Sequence, residues 1–169
     1  GATGDLYYLD AATAAGEALV YGQLESGGWT NCIDFDPKGT RTAQYRNGKG
    51  SGTNQSSLDD GQTQGCIVFL SRLDAVLGFK HAEIHRAATT AVDALLAAQF
   101  PNGAFPQGWR DPLPPQPVRT ARYPEYDWRT EGRIKNYWDM YTLNDGNSGY
   151  LTEALRTAHA VYGDDRCRD

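Results

Sequence analysis

The sequence contains two elements that each occur twice, and this repetition constrains the fold more than any other feature. The first element is an acidic turn, Leu58-Asp59-Asp60-Gly61, which returns 85 residues later as Leu143-Asn144-Asp145-Gly146. Both turns precede a stretch with the apolar spacing of a helix, and both stretches reach a glycine, at Gly78 and Gly163. Because glycine readily adopts the left-handed conformation that ends helices, each copy predicts an acidic turn, a helix and a stop.

The second element is a helix that ends in a turn followed by an aromatic residue. Residues 23–29 align with residues 99–105 at a shift of 76 residues, and each copy starts with glutamine and ends with an aromatic side chain. Gly163-Asp164 resembles Gly4-Asp5, so a third copy is expected to begin there, and Asp5 is expected to cap the first helix. The two elements together predict helices over residues 4–24, 64–77, 82–99 and 148–162.

Helix pairs that recur about every 80 residues predict an all-α fold of stacked pairs, since a single pair cannot bury its apolar face alone. Two long segments, residues 30–57 and 105–142, join the helices and hold most of the tryptophan and tyrosine residues. Segments of that length within a compact domain are usually functional or disordered, and their aromatic content argues against disorder. Strand content is expected to be small, with a short strand over residues 40–45 as the single candidate.

Charge and composition exclude several classes of protein. The net charge of −5 argues against a nucleic-acid partner, and no apolar run reaches the ~18 residues of a membrane-spanning helix. Cys32, Cys66 and Cys167 match no zinc pattern and are expected to be free thiols, with a bridge between Cys32 and Cys66 as the alternative. His81 and His85 lie four residues apart on one helix and are expected at the surface.

Basic residues are concentrated in the two long segments although the chain is acidic overall. Residues 37–58 contain four cations and no acid, residues 119–135 contain five cations against three acids, and each segment runs towards one acidic turn. Cations and carboxylates on neighbouring loops predict an anionic ligand held partly through a metal, and oxygen ligands of this kind suit Ca²⁺. The alternatives are that the acids only cap helices and that the cations are solvated surface charges.

A series of motifs resembles the family 10 polysaccharide lyases, the pectic acid lyases, over nearly the whole chain. These motifs are LESGGW at 24–29, IDFDP at 33–37, LDDGQTQ at 58–64, LLAAQFPNGAFPQ at 95–107, YPEYDWRTEGRIKNYW at 123–138 and LNDG at 143–146. The resemblance implies an α/α toroid, with residues 1–169 as a single partial catalytic domain that is truncated at the C-terminus. It also implies a secreted or periplasmic protein, which we expect to be a monomer.

The resemblance further implies that the protein is a pectate lyase, which cleaves polygalacturonate by calcium-assisted β-elimination. In the mechanism that the resemblance implies, calcium would bridge the protein and the C6 carboxylate, an arginine would remove the C5 proton, and the C4 oxygen would leave. By motif, the positions that match the calcium and substrate acids are Asp59, Asp60, Asn144 and Asp145, and the expected substrate-binding residues are Arg129, Arg133, Lys135, Trp138 and Trp109. The catalytic base is unassigned, because the family's arginine is expected beyond residue 169.

Gly146 departs from the family pattern, which commonly has an aspartate at this position, so one calcium ligand is lost or is supplied elsewhere. Three other functions compete with the lyase. An inverting glycoside hydrolase would use Asp60 and Asp145 as acid and base, would need no calcium and would form no double bond. A non-catalytic uronate-binding module would bind with calcium and never turn over. A terpenoid-type or protein-binding toroid is disfavoured by the polar, cationic loops.

Overall fold

The computed structural model describes residues 4–36, 38–110 and 146–168. Its elements are α1 (Leu6–Gly22), β1 (Ser56–Ser57), α2 (Gln62–Val76), α3 (Ala82–Ala97), β2 (Gly108–Trp109) and α4 (Asn147–Tyr162). Short 3₁₀ turns over Asp59–Gly61 and Asp165–Cys167 precede α2 and follow α4. The mainly helical class is confirmed, and each predicted helix is present with ends within two residues of those expected.

The helix starts that look alike in the sequence also have the same geometry. The Asp5 carboxylate accepts a hydrogen bond of 2.9 Å from the backbone N–H of Tyr7, which caps α1 as predicted. The Asp164 carboxylate accepts from the N–H of Arg166 at 3.1 Å in the same way. Gly4 and Gly163 precede these aspartates with φ angles of +68° and +67°. The resemblance between the two starts is therefore structural.

The turns that follow α1 and α3 are also built alike. The side-chain amide of Gln23 donates to the carbonyl of Gly27 at 2.8 Å, and that of Gln99 donates to the carbonyl of Gly103 at 3.2 Å. Both glycines have positive φ, +96° and +82°, a conformation that side-chain-bearing residues rarely adopt. The shift of 76 residues thus relates two copies of one hydrogen-bonded turn.

The hydrophobic core lies where α2 packs against α1, α3 and α4. Gly16 lets α1 approach α2 and α3 closely, since a Cβ at position 16 would lie 2.6 Å from Cδ2 of Leu73 and 3.0 Å from Cδ1 of Ile84. The small side chains of α3 and α4 allow the same close packing. Among the residues that the structure describes, the largest fully buried apolar side chains are Trp29, Tyr45, Leu24, Leu58, Ile67, Leu70, Ile84, Leu95 and Pro106.

A two-stranded antiparallel sheet joins the segment before α2 to the segment after α3. Ser56 pairs with Trp109 and Ser57 with Gly108. The predicted strand over residues 40–45 is wrong: Tyr45 makes only an isolated bridge with Leu24, and its buried ring belongs to a small separate cluster. The β1–β2 pair positions the candidate site, because it holds the segment after α3 against the segment that leads into α2.

The three cysteines are free, as predicted from their spacing. His81 and His85 are both partly exposed, and each ring lies beside a carboxylate of another helix, Glu17 for His81 and Asp74 for His85. No helix in the described part of the chain is both long enough and apolar enough to cross a membrane.

Candidate functional site

Asp59 and Asp60 lie on the 3₁₀ turn before α2, and their side chains line different cavities. Asp59 is half-buried and lines a polar cavity of about 360 Å³. Asp60 is exposed and lines a larger, mainly apolar groove of about 810 Å³ between α1, α2 and α4. The backbone is left-handed at both Asp60 and Gly61, with φ of +49° and +71°, which bends the chain into the helix. The two neighbouring carboxylates are therefore in different surroundings.

The polar cavity is formed by the β1–β2 pair, the start of α2 and the residues after Trp29. Its wall carries hydroxyl and amide groups, one carboxylate and one guanidinium, and the residues that bear this chemistry are Thr30, Asn31, Thr53, Gln55, Ser56, Ser57, Asp59, Gln62, Gln107 and Arg110. Neutral hydrogen-bonding groups of this kind suit sugar hydroxyls, and the arginine suits a carboxylate. The larger groove, with Leu9, Val68 and Phe69 in its wall, does not match a polyanion.

Asp59 is held in place by contacts from both sides of the cavity. Its Oδ1 accepts a hydrogen bond of 2.7 Å from the side-chain amide of Gln107, which is only 4 % exposed. Its backbone N–H donates to the Oγ of Ser57 at 3.1 Å. The carboxylate is therefore fixed relative to the β1–β2 pair.

Two further side chains of the cavity wall, those of Arg110 and Gln62, differ in how their hydrogen-bonding groups are satisfied. The exposed guanidinium of Arg110 donates through Nε to Oε1 of Gln55 at 3.3 Å. Oε1 of Gln62 is buried and has no hydrogen-bond partner among the described residues. A buried oxygen without a partner costs free energy, which a ligand donor would offset.

Gly146 and Asn147, which lie at the start of α4, are close to the first acidic turn and the start of α2. The ring of Tyr150 packs against both Gly61 and Gly146, since a Cβ on either glycine would lie 3.2 Å from a ring carbon. The amide of Gln64 donates to Oδ1 of Asn147 at 3.5 Å, and both side chains are buried. The residues next to the second turn thus lie beside the first.

The described residues contain part of the predicted site. Six predicted site residues, Arg129, Arg133, Lys135, Trp138, Asn144 and Asp145, lie outside the ranges that the structure describes. Trp109 is 3 % exposed, and its indole N–H donates to the carbonyl of Ser26 at 2.8 Å. Its ring faces are packed in the core, so the prediction of Trp109 as a sugar platform is corrected. The four cations of the first basic loop, Lys38, Arg41, Arg46 and Lys49, do not line the cavity of Asp59.

The oxygen atoms that line the polar cavity are of the chemical types that bind a hard cation. They are carboxylate, amide and hydroxyl oxygens, the ligands that Ca²⁺ prefers. Across residues 4–36, 38–110 and 146–168, no three His, Cys, Asp or Glu side chains cluster closely enough to hold a metal. Within these ranges Asp59 is the single carboxylate of the cavity, so a calcium site needs further ligands.

Comparison with known proteins decides the family. The sequence model of the pectic acid lyases matches residues 23–162, which is most of the chain. The chain belongs to the pectic acid lyase family. No curated protein sequence matches it significantly.

Two solved structures share the fold of this pectic acid lyase chain. One is a family 10 polysaccharide lyase from Cellvibrio cellulosa, with a TM-score of 0.57 and 21 % sequence identity over 96 % of the chain. The other is an aspartate-to-alanine mutant of the family 10 polysaccharide lyase from Cellvibrio cellulosa in complex with trigalacturonic acid, with a TM-score of 0.57 and 20 % identity. The chain spans less than half of each, 44 % and 45 %.

Most residues of the pectic acid lyase cavity were not predicted as site residues, among them Gln62, Gln107 and Arg110. Gln107 is the last residue of a motif that carries the family resemblance, but that motif gives it no role. Gln62 belongs to the motif LDDGQTQ at 58–64, which likewise gives it no role. Arg110 enters the cavity through the pairing of β1 with β2, and strands of two residues have no alternation that a sequence pattern can reveal.

Proposed function

We propose that the complete protein is a pectate lyase, which cleaves polygalacturonate by calcium-assisted β-elimination, and that this chain supplies the substrate-binding region around Asp59. The observation that carries the proposal is the polar cavity in which Asp59 and Arg110 both line the wall. A carboxylate for a cation and a guanidinium for an anion, among neutral hydrogen-bonding groups, match the chemistry of a polyuronate.

The proposed ligand set for calcium centres on Asp59. Asn144 and Asp145 would complete it, which is supported by the position of Gly146 and Asn147 beside the first acidic turn. Asp60 is the remaining proposed ligand, although the groove that it lines supports it less than the cavity supports Asp59. Calcium, when bound, draws electron density from the C6 carboxylate of a uronate and so acidifies the neighbouring C5 hydrogen.

The cationic and aromatic residues of the site have proposed tasks. Arg110, in the wall of the cavity, binds a uronate carboxylate through paired N–H donors. Arg129, Arg133 and Lys135 are proposed to bind further carboxylates, with Trp138 as a sugar platform. In the reaction, the C5–H and C4–O bonds break and a C4–C5 double bond forms. The proton passes to a base, proposed to be an arginine outside the described residues, and the C4 oxygen leaves with its half of the polymer.

The same proposal covers architecture and location. The helix pairs, the two related turns and the structural similarity support an α/α toroid of which residues 1–169 form a part. Action on an extracellular polymer supports a secreted or periplasmic protein, and we expect a monomer.

The proposal is tested with the complete protein and polygalacturonate, by following the ultraviolet absorbance of the unsaturated product with calcium and with a chelator. We expect calcium-dependent formation of the double bond. Asp59→Ala should lower kcat/KM by about tenfold or more, because a ligand of the cation is lost. Arg110→Ala should raise KM about tenfold with kcat little changed, as expected when ground-state and transition-state binding weaken equally.

Arg86→Ala is the matched control, because Arg86 is an exposed arginine on α3 that pairs with Glu83 on the same helix. It should leave KM and kcat unchanged. New reducing ends without a double bond, insensitive to chelator, would instead support the inverting hydrolase. Calcium-dependent binding with no product from the complete protein would support the binding module.

A further inference from the structure

We propose that Gln107 is a positioning residue for Asp59: its amide aims the carboxylate into the polar cavity without cancelling its charge. The inference rests on the proposed function, in which Asp59 binds calcium and uronate. It deepens that function by assigning a role to a glutamine that does not itself need to touch the substrate.

The contact between the two side chains is short and shielded. The Nε2 of Gln107 donates to Oδ1 of Asp59 at 2.7 Å, a length typical of hydrogen bonds to a charged acceptor. The Gln107 side chain is 4 % exposed, so water competes little for this bond. Both residues line the same cavity, at the start of α2 and at the start of β2.

Gln107 is itself fixed by the backbone around it. Its carbonyl accepts a hydrogen bond of 2.8 Å from the N–H of Leu58, the residue before Asp59. The next residue, Gly108, pairs with Ser57, and a Cβ at position 108 would lie 2.4 Å from the carbonyl oxygen of Ser56. The side-chain bond and the backbone bond therefore join the same two segments in one rigid arrangement.

A neutral amide suits this task better than a cation. A lysine or arginine at position 107 would orient the carboxylate, but its positive charge would oppose a calcium ion at the same oxygens. An amide supplies a hydrogen bond and no net charge. Groups that hold metal ligands in this way typically contribute 10- to 100-fold to metal affinity or activity.

The test is calorimetric titration of this chain with trigalacturonate, first with calcium and then with a chelator. The variants are Gln107→Met, which keeps the length of the side chain but removes the donor, Asp59→Ala, and the double variant. We expect Gln107→Met to weaken calcium-dependent binding about tenfold or more and to leave binding in chelator unchanged. The double variant should bind no more weakly than Asp59→Ala, because Gln107 acts through Asp59.

Gln99→Met is the matched control, since Gln99 also bonds its side-chain amide to another group, the carbonyl of Gly103. It should bind like the unaltered chain. Circular dichroism accompanies each titration, and if Gln107→Met does not fold, Gln107→Asn is titrated instead and the same comparisons apply.

Two results overturn this inference alone: calcium-dependent binding by the unaltered chain that Gln107→Met retains in full, or losses in the double variant that equal the sum of the single losses. Absence of calcium-dependent binding by the unaltered chain overturns the proposed function of this chain, and the inference falls with it.

Discussion

The carboxylate of Asp74 is completely buried in α2, and its Oδ2 lies 2.7 Å from Nδ1 of His85 and 3.0 Å from the hydroxyl of Tyr162. His85 is on α3 and Tyr162 ends α4, so one carboxylate links three helices. Burial, above all, raises the pKa of Tyr162, which keeps the hydroxyl protonated and able to donate. This cluster lies at the opposite end of α2 from Asp59, and we interpret it as structural.

Replacing Asp74 by alanine should therefore destabilise the chain by about 2–4 kcal/mol. The change removes the acceptor of two hydrogen bonds and leaves a cavity between helices. Urea denaturation followed by circular dichroism measures the free energy of unfolding. Arg72→Ala on the same helix is the control: its ion pair with Glu153 is exposed on both sides, and it should change the free energy by less than about 0.5 kcal/mol. Equal effects of the two substitutions would contradict a structural role for Asp74.

Two glycines inside helices should respond in opposite directions to alanine. Gly16→Ala places a Cβ 2.6 Å from Leu73 and should destabilise the chain by about 1–3 kcal/mol through overpacking. Gly65 has no atom within 4 Å of its Cβ position, so Gly65→Ala should stabilise α2 by about 0.5–1 kcal/mol. Thermal unfolding of both variants is the measurement, and a stabilising Gly16→Ala would mean that α1 and α2 are packed more loosely than described.

Cys66 should remain unreactive while the chain is folded. Burial raises the pKa of its thiol to about 12, so at pH 8 roughly one thiol in ten thousand is the reactive thiolate. The folded state holds this proton more tightly than the unfolded state, and the resulting stabilisation is present at neutral pH and lost as the pH rises towards 12. Alkylation with iodoacetamide at pH 8, followed by peptide mass spectrometry, compares labelling with and without urea. Labelling of Cys66 at the same rate in both conditions would contradict the raised pKa of its thiol in the folded chain.

The helices could be predicted because their signals are local. The spacing of apolar residues, the cap at Asp5 and the glycines that end each unit are all readable within about 20 residues. The repeat was equally informative, since Gln23 and Gln99 make the same hydrogen bond to their turns. The family resemblance rested on the order of such motifs, and the match over residues 23–162 bears it out.

The site was predicted less completely because its geometry depends on contacts between distant residues. Asp59 and Asp60 are adjacent in sequence, but left-handed backbone at Asp60 directs the two carboxylates to different cavities. Tryptophan is a residue type that often stacks on sugars, which led to the prediction for Trp109. Trp109 is instead a core residue, because the two-residue strand that contains it pairs with Ser56. Gln107 and Arg110 join the cavity through the same pairing.

The central claim is that Asp59, in its polar cavity, binds a uronate through calcium. Calorimetric titration of the chain with trigalacturonate, in calcium and then in chelator, tests it most directly when Asp59→Ala is compared with Asp60→Asn. We expect calcium-dependent binding that Asp59→Ala weakens about tenfold or more and that Asp60→Asn weakens less. Binding by Asp59→Ala that equals that of the unaltered chain in calcium would contradict the claim.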